Sequence, residues 1–200
     1  MISIEGYRLG GTIERESNVP KKGRSLRCRL TGTTALIGAA VIAFPNAAQS
    51  ADIVISAPGA AAQNLGAGDT LTVNVGASIT DQPGVTVNGV AATSINNAGT
   101  ISDGAGTAGT TAILINNTAN ITGGITNSGT ISGDLYGIKV DNGSDISGGI
   151  NNSGNLDGGF GAIWVDNGSD ISGLIDNSGT LLDDIRVDNN SDISCLLYTS

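Results

Sequence analysis

The chain has 200 residues, of which 31 are Gly and only 3% are aromatic, which excludes an ordinary globular core filled by rings. Seven of the nine Lys and Arg residues precede position 30. From residue 51 onward, Lys139 and Arg186 stand against fifteen Asp, a net charge of −13, so neither nucleic acid nor an anionic membrane surface is an expected partner.

Residues 1–50 read as an extended leader and signal peptide. A basic stretch (KKGRSLRCRL) precedes a ten-residue apolar run from Ala35 to Phe44, the Pro45 break and a zone of small residues. That order is the secretory one, and cleavage before Ala51 is preferred, with the Ala48–Gln49 bond as the alternative. An apolar run this short crosses only about half of a roughly 30 Å hydrocarbon core, so export is expected rather than a retained anchor. Cys28 lies before the apolar run, not after it where a lipoprotein acylation cysteine belongs.

Residues 51–94 are expected to form an N-terminal cap and degenerate coils, because terminal repeats are usually atypical. Within them LTVNVGASIT, starting at Leu71, echoes IKVDNGSDIS, starting at Ile138.

Residues 95–194 copy themselves. ITNSGTISGDLYGIKVDNGSDISGG starts at Ile125 and INNSGNLDGGFGAIWVDNGSDISGL at Ile150, each 25 residues long. An earlier copy of 30 residues starts at Ile95 and a shorter one at Ile175. Aligned, they place aliphatic residues in five columns, headed by Ile95, Ile101, Ile113, Ile115 and Ile121. Ile138-Lys139-Val140, Ile163-Trp164-Val165 and Ile185-Arg186-Val187 alternate with the period of a half-buried strand, which points Lys139, Trp164 and Arg186 outward. Gly, Asn, Ser and Asp interrupt the chain every few residues and leave no helical stripe. A period of 25 with several short strands predicts an all-β parallel β-helix, a solenoid in which equivalent residues stack coil upon coil. Asn stacks as well, in columns headed by Asn97 and Asn117. These are read as turn-forming and ladder-forming residues rather than ligands.

Length differences between copies fall between the second and third aliphatic columns, so one corner of the coil is expected to carry variable loops. Leu135, Tyr136, Phe160 and the nearby Trp164 hold most of the bulky groups there. They either cover the core or form a contact surface.

The chain has no His, and from residue 51 to 194 neither Cys nor Glu, which removes His-dependent triads, thiol nucleophiles and His or Cys zinc sites from that segment. No cofactor is expected. In the two DNGSD segments, Asp141, Asp145, Asp166 and Asp170 offer an oxygen-rich candidate site for calcium. The turn reading takes precedence, because the bidentate Glu of a strong site is missing. The last six residues, CLLYTS (195–200), appear where the repeat calls for Gly. They resemble a reading frame of a transposon-end adapter used in sequencing libraries, and are expected to lie outside the natural protein.

A signal peptide followed by NSGTISG-type coils resembles the passenger region of classical autotransporters. It is also similar to the coils of filamentous haemagglutinin-type proteins exported by two-partner secretion. The resemblance implies a right-handed β-helix at the surface of a Gram-negative bacterium or released from it. It further implies an outer-membrane translocator barrel outside these residues, and a ligand on a host or neighbouring cell. A structural or adhesive stalk, not an enzyme, is the leading expectation. A polysaccharide-degrading β-helix enzyme and a calcium-stabilised surface-layer protein are the alternatives.

Overall fold

A computed structural model describes residues 49–104 and 109–194, and the backbone of Leu197–Thr199. Residues 1–48 of the leader lie outside the described residues, as do the side chains of 195–200. The described chain is all-β, a parallel β-solenoid of about five turns with no helix.

Each coil visits four faces in a fixed order. The first face pairs Asp52–Ile55, Thr70–Val73, Ser94–Asn97, Ile125–Asn127, Ile150–Asn152, Ile175–Asn177 and Leu197–Thr199, all parallel. The second runs from Ser78–Thr80 through Thr130–Gly133 to Thr180–Leu181, and the third from Gln63–Leu65 through Tyr136–Val140 to Ile185–Val187. The fourth is narrow: Ala91–Ala92 pairs with Asn120–Ile121, single bridges link Asn120, Asp145 and Asp170, and Asp170–Ile171 pairs with Asp192–Ile193.

The strand register matches the sequence columns. Ile125 lies between Ile95 and Ile150, Ile131 between Ile101 and Leu156, and Ile138 between Ile113 and Ile163. These residues are fully or almost fully excluded from solvent and form one continuous core. On the third face two successive residues turn inward, as with Ala112–Ile113 and Ala162–Ile163. Small residues are needed there: a Cβ on Gly137 would lie 2.8 Å from the Leu156 side chain. This local bend carries Tyr136 outside the core.

The corner between the first and second faces is set by Asn-Ser-Gly. Ser128 and Gly129 both donate their N–H to the Asn97 carbonyl at 2.8 and 3.2 Å, which draws successive corners together. A Cβ on Gly129 would sit 2.1 Å from the Gly99 carbonyl oxygen, so the corner needs Gly for close approach rather than for an unusual φ.

Beside these corners a polar ladder runs through the interior. Asn97 Nδ2 donates to Asn127 Oδ1 at 2.8 Å, Asn127 to Asn152 at 2.7 Å and Asn152 to Asn177 at 2.7 Å. The second amide hydrogen of each goes to a main-chain carbonyl of the next coil, on Thr130, Asn155 and Thr180. Among the described residues no buried side-chain nitrogen or oxygen lacks a partner.

The echo between LTVNVGASIT and IKVDNGSDIS proves to be out of phase. Leu71 pairs with Ile95 and Ile79 with Ile101, so this segment occupies the first and second faces, whereas Ile138 lies on the third. Strand, Gly-containing turn and strand is a pattern that suits either corner. What differs is the inward residue before the turn: Val73 occupies the position that Asn97 takes one coil later, so the ladder starts only at Asn97.

Two substitutions test this packing against a surface control. Asn127→Leu strands the Asn152 oxygen and the Asn155 carbonyl and should cost about 3 kcal/mol. Ile146→Asp buries an unpaired charge and should cost about 4 kcal/mol. Thr126→Leu, on the exposed side of the same strand as Asn127, should stay within about 0.5 kcal/mol. Urea unfolding of the three variants measures these differences, and similar losses for Asn127→Leu and Thr126→Leu would contradict the inward assignment.

Candidate functional site

The outer side of the third face carries most of the unusual chemistry. Strand register stacks Leu114, Lys139, Trp164 and Arg186 in one outward column. Tyr136 lies beside it, its ring centroid 4.5 Å from that of Trp164 with the planes tilted by 31°. Lys139 Nζ stands 4.2 Å from the Trp164 centroid and the Arg186 guanidinium 5.9 Å from it. Coil spacing thus places Trp164 between cations from the coils on either side, a contact worth about 1 kcal/mol at a partly exposed site.

Acids complete the cluster. Lys139 Nζ is 2.6 Å from Asp141 Oδ2. Asp188 accepts from Trp164 Nε1 at 3.1 Å and pairs with Arg186. Burial pushes the Asp141 carboxyl up, but hydrogen bonds from Lys139 and Asn167, the Lys139 charge and the Asn142 N–H outweigh it and hold the group below its ordinary value. Asp188 is likewise lowered, by Arg186 first and then by Trp164, and Arg186 is raised by Asp188.

The four bulky residues singled out from sequence separate into two pairs. Tyr136 and Trp164 meet on the face, Tyr136 buried and Trp164 half-buried. Leu135 and Phe160 stack at the variable corner, where the Phe160 N–H donates to the Leu135 carbonyl at 2.9 Å. Leu135 is half-buried and Phe160 is 65% exposed, followed in the next coil by the exposed Leu182. A depression of about 380 Å³ lies on the third face near Pro83, Leu114, Lys139 and Asp141.

The DNGSD aspartates lie at the turn between the third and fourth faces. Asp141 and Asp166 are buried and accept from Asn167 Nδ2 at 2.8 Å and Asn189 Nδ2 at 2.7 Å. Asp145 accepts from the main-chain N–H and the hydroxyl of Ser172, one coil on. Asp170 is half-buried on the fourth face. No group of three or more His, Cys, Asp or Glu among the described residues is placed to hold a metal ion.

Asn117, Asn142, Asn167 and Asn189 all take positive φ, between 49° and 56°. Their amides do not bond to one another. Each donates to the residue before its counterpart one coil back: Asn88, Asn116, Asp141 and Asp166.

Sequence reasoning missed the serine ladder. Ala119 N donates to Ser144 Oγ, Ser144 N to Ser169 Oγ and Ser169 N to Ser191 Oγ, each at 3.2 Å. The signal was present in the invariant spacing of Ser within DNGSD and DNNSD. Also missed were Asp69, which accepts from the N–H groups of Ala51 and Gly66 at 2.7 Å, and Asp103, which accepts from Thr110 and the Asp134 N–H.

Comparison with protein-family models, curated proteins and solved structures gives no match.

A pH series tests the Lys139–Asp141 pair. A depressed folded value means that the contribution of Asp141 is full above the unfolded value of about 3.9 and is lost as pH falls through the folded one. Lys139→Gln should therefore destabilise by about 1 kcal/mol at neutral pH. The gap between wild type and variant should narrow below about pH 3.9 without closing, because the contact of Lys139 with the Trp164 ring does not depend on the Asp141 charge. Melting curves read both quantities, and a gap independent of pH would refute the pairing.

Proposed function

We propose that the chain is a stalk segment, structural or adhesive, of an exported bacterial surface protein of the autotransporter-passenger or two-partner-secreted kind. The observation that carries this reading is the coil-to-coil register, in which aliphatic columns and polar ladders repeat among the described residues. A scaffold of this kind gains length by adding coils, each supplying the same contacts to its neighbours. Export rests on the leader, and the surface location on the resemblance of the NSGTISG coils.

The cation-paired aspartates of the third face do not favour a polysaccharide-cleaving reading. Such chemistry needs two carboxylates facing each other across a groove, one of them free to hold or release a proton. Asp141 and Asp188 are instead tied to Lys139 and Arg186, and both are lowered.

Duplicating residues 125–149 tests the stalk reading directly. One added coil should lengthen the folded segment by about 4.8 Å along the stacking axis while cooperative melting is retained. Small-angle scattering and thermal melts measure the two. Loss of cooperative folding, or release of new reducing ends from polysaccharides by the parent chain, would overturn the proposal. Expression in a Gram-negative host should yield a product that begins at Ala51. A full-length cytoplasmic product would remove the export part.

A further inference from the structure

Three Asn-Gly pairs sit on the turns that end the third face: Asn88-Gly89, Asn142-Gly143 and Asn167-Gly168. In an open chain this dipeptide reacts with itself. The glycine backbone nitrogen loses its proton and bonds to the asparagine Cγ, and the side-chain nitrogen leaves as ammonia. Water then opens the resulting succinimide to aspartate or isoaspartate. Asparagine is accordingly among the thermally labile residues.

We propose that Asn88, Asn142 and Asn167 are self-modification sites held shut by coil stacking, and that loss of the amide at Asn167 is the event the fold tolerates least. All three attacking nitrogens are already engaged. Gly89 N–H donates to the Asn116 carbonyl at 3.0 Å, Gly143 N–H to the Asn167 carbonyl at 3.1 Å and Gly168 N–H to the Asn189 carbonyl at 3.0 Å. Each is a bond from one coil to the next, so the nucleophile is freed only when neighbouring coils part.

The leaving amides of Asn142 and Asn167 are engaged too. Asn142 Nδ2 donates to Asn116 Oδ1 at 2.7 Å and Asn167 Nδ2 to Asp141 Oδ1 at 2.8 Å. The two residues have φ of 53° and 52°, fixed by the same turn.

The partners make the sites unequal. A carboxylate at 142 would meet the Asn116 amide, which is neutral and held by the Asn117 N–H at 2.9 Å, so that contact sets no second charge against it. A carboxylate at 167 would meet Asp141, an acceptor with nothing to donate. Asp141 is buried and already holds Lys139, so the added charge has one cation to share with it, Lys139 at 2.6 Å. A chain that stays unfolded long enough to lose ammonia at Asn167 would therefore bring two carboxylates together when it stacks.

The full chain, incubated in neutral buffer and in concentrated guanidinium at the same pH and temperature, tests the first half of the proposal. Peptide mass mapping reads the gain of one mass unit at each site, and a protein isoaspartate methyltransferase reads the rearranged product. Modification at all three sites should be at least about tenfold faster in guanidinium, as expected where reaction needs local opening. Equal rates would overturn it. The second half is read from variants: Asn167→Asp should lower the melting temperature more than Asn142→Asp, or fail to fold where Asn142→Asp folds. Equal or reversed losses would overturn the special position of Asn167.

Discussion

Everything in this chain depends on a single constraint: no coil can bury its own apolar side. A coil of about 25 residues encloses a cross-section only a few side chains wide, and its inward Ile and Val residues are covered above and below by the equivalent residues of its neighbours. The hydrophobic contribution is generous but not selective, because one aliphatic column would stack on another nearly as well. Selection comes from the interior Asn ladder. Each amide has one donor for the next Asn and one for the next main chain; a slip by one residue would turn the Asn to the outer face, and a slip by two would set those groups against Ile side chains. Buried polar groups that fix register at some cost in stability are familiar from coiled coils, and the same logic applies here along the solenoid axis.

The outer surface has to solve an electrostatic problem with few cations. Stacking repeats brings like residues together, so Asp141, Asp166 and Asp188 form a column at coil spacing. Two unit charges about 4.8 Å apart in water repel by about 1 kcal/mol, and by more where burial lowers the dielectric. The chain offsets this with neutral donors. Asn167 and Asn189, turned by their left-handed backbone, direct amide hydrogens at the carboxylates one coil back. The two cations in this part of the chain stand at the same column, Lys139 beside Asp141 and Arg186 beside Asp188, with Trp164 between them. A chain of net charge −13 in this region thus places its scarce positive charge where acidic stacking is densest.

How much of this was legible depended on how often a feature recurs. Ile138, Val140 and Ile146 could be assigned inward from sequence because each has counterparts at a constant offset in neighbouring copies. Solvent-free side chains leave little freedom to vary. Ser144 and Ser169 recur just as regularly, but Ser is so common in turns that its recurrence carries no direction. Only the coil-to-coil bonds reveal that the hydroxyls accept main-chain hydrogens in the interior. The Leu71 segment was misaligned for the converse reason: a single copy matched to a single copy has no column to discipline it. Trp164 and Tyr136 have no aromatic counterpart at the same position of a neighbouring copy, and their contact arises from a diagonal relation across two coils that no linear period encodes.

The variable corner follows from the same physics. Between the first and second faces the chain has no room to vary, since Gly99, Gly129, Gly154 and Gly179 approach one another so closely that a Cβ would collide with the neighbouring main chain. Between the third and fourth faces the left-handed Asn and the serine ladder fix both the length and the shape of the turn. Among the described residues, the second-to-third corner is tied to its neighbours by bonds such as those of the Asp134 N–H to Asp103, the Leu135 N–H to the Thr110 carbonyl and the Phe160 N–H to the Leu135 carbonyl. Insertions there change neither the register nor the core, so exposed groups such as Phe160 and Leu182 can differ from coil to coil at little cost in stability. In this chain the place where repetition is least enforced is the corner carrying Leu135 and Phe160.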